Sequence, residues 1–167
     1  VGSEMCIRDR FWVGPVVKEG FYYDIDLGND VVNDEVIAAI EKEMKKICKE
    51  GKKIYRREVS KAEAMEMFKD DMYKLDLISN LEDGNITVYD QGDFTDLCRG
   101  PHVDNTKLCK NFKLVKHSGV YWKGDANNHV MQRIYVYFWM PFTDMHHLFF
   151  CNNHLISYVV TGNAIIN

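Results

Sequence analysis

Ile86-Thr87-Val88-Tyr89-Asp90-Gln91-Gly92-Asp93-Phe94-Thr95-Asp96-Leu97-Cys98-Arg99-Gly100-Pro101-His102 reads as two strands folded on a tight turn, with reactive side chains gathered at the end of the second arm. Ile86 to Tyr89 is a β-branched and aromatic run, Asp90-Gln91-Gly92 makes the connection, and Asp93 to Cys98 returns. On the return arm Phe94, Asp96 and Cys98 share one parity and Thr95 and Leu97 the other, so extended backbone sends Asp96 and Cys98 to the same face. Gly100 and Pro101 then stop the strand. A helix would also bring Cys98 and His102 together at i and i+4, but the Gly-Pro pair opposes helix at that point. A strand end followed by a turn is where a rigid sheet holds reactive groups at the rim of a pocket. On spacing alone, a Cys and a His four apart are more often an inert small hydrophobe and a hydrogen-bonded histidine than a reactive pair.

Upstream, Gly14-Pro15 and Lys18-Glu19-Gly20 are turns around an aromatic strand, Phe21-Tyr22-Tyr23-Asp24-Ile25, which together predict a hairpin. Asn33 caps a helix with Asp34 and Glu35 in its first turn, an apolar stripe of Val36, Ile37, Ile40, Met44 and Ile47, and Gly51 at its end. The basic run Lys45, Lys46, Lys49, Lys52, Lys53, Arg56 and Arg57 closes that helix and runs past it. It fits either a solvated face with cations at the negative end of the helix dipole or a contact with an RNA backbone. Ile54 to Val59 reads as a strand. Ser60-Lys61-Ala62-Glu63 is a capping box opening a short helix with Ala64, Met65 and Phe68 inward. Met72 to Leu81 alternates weakly and contains Lys74 between apolar neighbours, a position for a lysine that either reaches water or meets an anion or carbonyl at a pocket.

Downstream, Phe112 to Lys116, Val120 to Trp122 and Gln132 to Phe138 read as three further strands. The order of elements predicts an α+β domain with helices packed on a largely antiparallel sheet. From Met140 to Asn167 the one formally charged side chain is Asp144, and His146, His147, Cys151 and His154 match no established zinc spacing.

With 46% hydrophobic and 13% aromatic residues the chain has the makings of a packed core, which excludes a disordered class. Twenty-one Lys and Arg against 25 Asp and Glu give a net charge of -4, so any nucleic-acid contact must be local. Five irregularly spaced cysteines and no secretory signal favour reduced thiols and a cytoplasmic setting over a disulfide framework. No apolar run approaches the roughly 18 residues of a membrane span. No Walker loop, dinucleotide fingerprint or nucleophile elbow occurs.

Taken in order, Gly14-Pro15-Val16-Val17, Gly20-Phe21-Tyr22-Tyr23-Asp24, Asp96-Leu97-Cys98-Arg99-Gly100-Pro101-His102, Phe112-Lys113-Leu114, Gly119-Val120-Tyr121-Trp122-Lys123-Gly124-Asp125 and Gln132-Arg133-Ile134-Tyr135 resemble the threonyl-tRNA synthetases. The likeness is to their editing domain, the second additional domain shared with alanyl-tRNA synthetases and freestanding editing proteins. It implies residues 13–138 as the domain, flanked by a non-family stretch at 1–12 and a non-family tail at 139–167.

The implied activity is hydrolysis of mischarged seryl-tRNA at the ester of the 3′ terminal adenosine. By resemblance Lys74, Asp96 and His102 are the catalytic set, and Cys98, Arg99 and Tyr121 contact substrate. His102 orients water or the ribose hydroxyl, Lys74 polarises the ester or holds water, and Asp96 binds the serine amino group. Cys98 reads as pocket wall rather than nucleophile, since a nucleophilic thiol needs a depressed pKa. The implied partners are tRNA and the rest of a homodimeric synthetase chain. No cofactor is expected in this segment, because ATP, magnesium and zinc belong to the family's synthetic core.

The family pairs its C-x-x-x-H with an upstream H-x-x-x-H on a helix, whereas all six histidines here lie at or after 102. A two-ligand remnant predicts no metal site and little hydrolysis by the chain alone. After Tyr135 the family's Gly-Thr-Ala gives way to Val136-Tyr137, so the chain reads as an internal fragment with unrelated ends. A freestanding hydrolase acting in trans and a non-catalytic cradle for the tRNA acceptor end are the alternatives.

Overall fold

Asn33 accepts the N–H of Val36 at 2.9 Å, and Gly51 turns left-handed at φ 69° so that its own N–H closes on Ile47. Between them lies α1, Asp34–Glu50, the longest helix among the described residues of this computed structural model, which are 10–11, 16–17, 20–28, 31–84, 86–100 and 102–139. α1 lays Ile40, Met44 and Ile47 on a five-stranded antiparallel sheet. That sheet comprises β1 (Arg10–Phe11), β2 (Val16–Val17), β3 (Gly20–Asp26), β7 (Phe112–Tyr121) and β8 (Val130–Phe138). β8 is central between β3 and β7, and β1 and β2 both pair with β3. Phe21, Tyr23 and Ile25 of β3 share the face that meets α1 with Leu114, Ile134 and Val136. Burying each such side chain stabilises by about 1.5–3 kcal/mol.

The second sheet is β4 (Tyr55–Val59), β5 (Ile86–Gln91) and β6 (Phe94–Leu97), again antiparallel, with Val88 opposite Leu97 and Tyr89 opposite Asp96. One face carries Val59, Ile86 and Val88 and packs against Ala64 of α2 (Lys61–Met67) and Ile78 of α3 (Met72–Ser79). On the other face Tyr89 joins the larger core that includes α1, with Cys98 packed against it. β5 thus belongs to both cores.

The α+β reading holds, with two antiparallel sheets, and so do the hairpins, the α1 caps and the capping box at Ser60. Four local expectations are corrected. The weak alternation over Met72 to Leu81 is a helix, because Asp71 caps it through the N–H groups of Tyr73 and Lys74 at 2.9 and 3.1 Å. Met65 is exposed rather than inward, since α2 presents only Ala64 squarely to the core. β5 runs two residues further, to Gln91, before turning. The strands predicted at Phe112 and Val120 are one strand, carried past Gly119 by pairing to β8 and kinked by a bulge between Leu114 and Lys116. The histidines and cysteine of 146–154 lie outside the described residues, as does Pro101.

Candidate functional site

The hairpin delivers Asp96 to the larger core, where α3 meets it with Lys74. Lys74 Nζ lies 2.7 Å from Asp96 Oδ1, and both side chains are less than a tenth exposed. The same oxygen accepts the N–H of Leu97 at 2.7 Å, and Tyr23 donates its hydroxyl to Oδ2 at 3.4 Å. The carboxylate is therefore met by three donors, which is what a buried anion requires. Burial alone would push the Lys74 ammonium down, but the Asp96 charge and hydrogen bond outweigh it and hold Lys74 well above the ordinary lysine value. Lys74 is thereby a fixed cation and donor, not a base. Asp71, under the same turn of α3, is pushed up by its burial, and the Asp96 charge adds to that.

Cys98 follows directly on β6. Burial raises its thiol to about 11, Asp96 adds to that, and the Gly100 N–H donated to Sγ at 3.4 Å only partly offsets it. At neutral pH it is a neutral thiol and a poor nucleophile. Gly100 sits at φ 69°, and a Cβ there would run into the Tyr89 hydroxyl, so both backbone and packing require glycine. The His102 ring lies on Tyr89, with centroids 3.9 Å apart, and the His102 backbone N–H meets the Tyr89 hydroxyl. Lys74 thus pairs with Asp96, Cys98 lies in the field of that pair, and His102 lies on Tyr89, the residue opposite Asp96 on β5.

Of the residues predicted for the site, the structure brings Lys74 and Asp96 into contact, sets Cys98 within their field, and lays His102 on Tyr89, the strand partner of Asp96. The Arg99 and Tyr121 side chains are exposed, and among the described residues no contact ties either to the ion pair. Tyr23 was not singled out by the sequence reasoning. Its parity with Phe21 and Ile25 puts a hydroxyl on a core-facing strand position, where it must find a partner, and that was the available signal.

Residues 86–135 match the family described as the threonyl and alanyl tRNA synthetase second additional domain. The chain is 56% identical over 127 residues to the threonine–tRNA ligase of Enterococcus faecalis, 53% over 127 residues to that of Staphylococcus aureus and 51% over 126 residues to that of Desulfatibacillum aliphaticivorans. The chain carries a threonyl-tRNA synthetase second additional domain. The matched region is 75% of this chain and 20% of the length of each of these curated relatives.

In this second additional domain the ion pair lies where the matched segment, through Asp96, meets α3, which precedes it. Among the described residues no three His, Cys, Asp or Glu side chains converge. No helix among the described residues is long and apolar enough to cross a membrane.

A separate groove of about 500 Å³ runs along α1 beside β7, lined by Lys42, Lys45, Lys46, Lys49 and Lys113. Glu41 lies at its base and takes Lys45 at 2.5 Å and Lys113 at 3.0 Å. Much of the predicted basic run is paired within the protein: Lys46 with Glu43 at 2.9 Å, Arg56 with Glu58 at 2.8 Å, and Arg57 with Asp90 by two hydrogen bonds.

Proposed function

We propose that this domain serves a threonine–tRNA ligase by clearing serine attached in error to its tRNA. The chemical need is plain. Serine lacks one methyl of threonine, a difference worth about 1–3 kcal/mol in a pocket, so a second, hydrolytic sieve is required. The observation that carries the reading is the buried Lys74–Asp96 pair with the Tyr23 hydroxyl on its carboxylate, beside the turn to His102.

In this reading Asp96 receives the serine ammonium, Tyr23 fixes the carboxylate's orientation, and Lys74 stabilises the oxyanion that forms as water attacks the ester. His102 orients the water or the ribose hydroxyl. Cys98, a neutral thiol, forms wall. The product is free serine and an uncharged 3′ end. The whole ligase would be cytoplasmic and homodimeric, with ATP, magnesium and zinc serving its synthetic core.

The test is to offer seryl- and threonyl-tRNA to the chain alone and to a threonine–tRNA ligase in which residues 13–138 replace the corresponding segment. The chimera is expected to hydrolyse seryl-tRNA preferentially, and the chain alone to hydrolyse little. If Lys74→Ala and His102→Ala leave the chimera's rate unchanged, the assignment is wrong.

The lysine-lined groove favours a second reading, a cradle for the acceptor end without turnover. Filter binding at two salt concentrations beside the deacylation assay separates the two, since a pure binder gives a salt slope and no hydrolysis.

A further inference from the structure

Tyr73 stands next to Lys74 in the first turn of α3 and points elsewhere. Its hydroxyl donates to Asp26 Oδ2 at 2.7 Å, at the end of β3, and is also hydrogen-bonded to Nε2 of His129, just before β8. With the Nε2–H tautomer of His129 the chain is complete: imidazole to phenol, phenol to carboxylate. The Tyr73 ring meets Trp122 edge-on at 5.3 Å between centroids, and Trp122 stacks on His129 at 5.5 Å. Lys123, in the connection from β7 to β8, adds a second tie to α3, 2.9 Å from Asp76. α3 spans only Met72–Ser79, too short to hold its own geometry without tertiary contacts. A fully buried tyrosine in its first turn is thus bonded to the end of β3 and to the residue before β8, while the next residue reaches Asp96.

We propose that Tyr73 is a positioning residue, whose bridge between Asp26 and His129 fixes the first turn of α3 so that Lys74 is held against Asp96. The proposal rests on the reading of Lys74 as the cation that meets the ester, but its test does not depend on ester cleavage. Lys74 is buried and paired, so amine-directed labelling reaches it only when this turn opens.

The full chain is reductively methylated with formaldehyde and cyanoborohydride, and each lysine is quantified by peptide mass spectrometry. Tyr73→Phe, which keeps the ring on Trp122 and removes the bridge, is expected to raise the labelling rate of Lys74 about two- to tenfold. Lys61, anchored at the other end of α3 on the carbonyls of Ser79 and Leu81, is expected to stay unchanged. His129→Ala acts at an exposed side chain and gives the same readout should Tyr73→Phe not fold, with His129→Gln restoring part of the protection. Unchanged Lys74 labelling in these variants, or Lys61 rising in step with Lys74, overturns the proposal. Failure of seryl-tRNA hydrolysis would refute the proposed function and leave this result standing.

Discussion

Lys74 and Asp96 are complementary charges in a place where neither is tolerated alone. Removing one partner of a buried pair leaves the other unsolvated, at a cost of about 3–5 kcal/mol. Lys74→Met is accordingly expected to lower the urea midpoint strongly, while Lys74→Met with Asp96→Leu recovers much of the loss. A small effect of the single change would mean that water reaches the pair. For Cys98, with its thiol raised to about 11 from an ordinary 9.0, alkylation by iodoacetamide is expected to stay slow at neutral pH and to rise only toward pH 11. Across that window the unfolded chain releases the thiol proton and the folded chain keeps it, so stability falls as pH rises. A reaction midpoint near 7 would make Cys98 a nucleophile rather than pocket wall. Residue types and spacing marked Asp96, Cys98 and His102 as a candidate site and the resemblance added Lys74, but the ion pair itself was not legible. Nothing local distinguishes a lysine that reaches water from one that a distant hairpin has met with a carboxylate.

At the scale of elements, legibility followed how local the cause was. Asn33 with Gly51, and Ser60 with Glu63, announce α1 and α2 because the cap is written in neighbouring residues. α3 escaped because its eight residues carry a weak amphipathic pattern, with Tyr73 and Lys74 both buried for reasons lying in other elements. β7 was cut in two at Gly119 because a glycine normally punctuates a strand, and only its pairing to Gln132 of β8 carries it through. The seam between α1 and β7 is held by Glu41, which accepts the N–H of Leu114 at 3.0 Å and the ammonium groups of Lys45 and Lys113. Burial opposes the charge on Glu41, yet these three donors together keep its carboxyl below the ordinary 4.5. Its contribution is in place above pH 4.5 and is lost as the pH falls through the lowered value. Glu41→Gln is expected to destabilise by about 1–3 kcal/mol at pH 7 and to flatten the acid limb of a thermal-stability profile. An unchanged acid limb would exclude Glu41 as the titrating group.

For the molecule as a whole, a net charge of -4 coexists with a groove carrying five lysines around Glu41, so charge matters here by where it lies rather than by its sum. Should RNA use this groove through about three phosphates, affinity is expected to drop on the order of tenfold or more between 50 and 200 mM salt, and Lys42→Glu with Lys49→Glu to flatten that slope. A slope untouched by the double change would move any RNA contact elsewhere.

β5 turns Ile86 and Val88 to one core and Tyr89 to the other, alternate residues of a single strand. It is a party wall with rooms on either side. Strip the packing from one room and the wall itself leans, so the helix pair over the small sheet and the long helix over the large one are expected to melt together, in one transition, whichever is struck first.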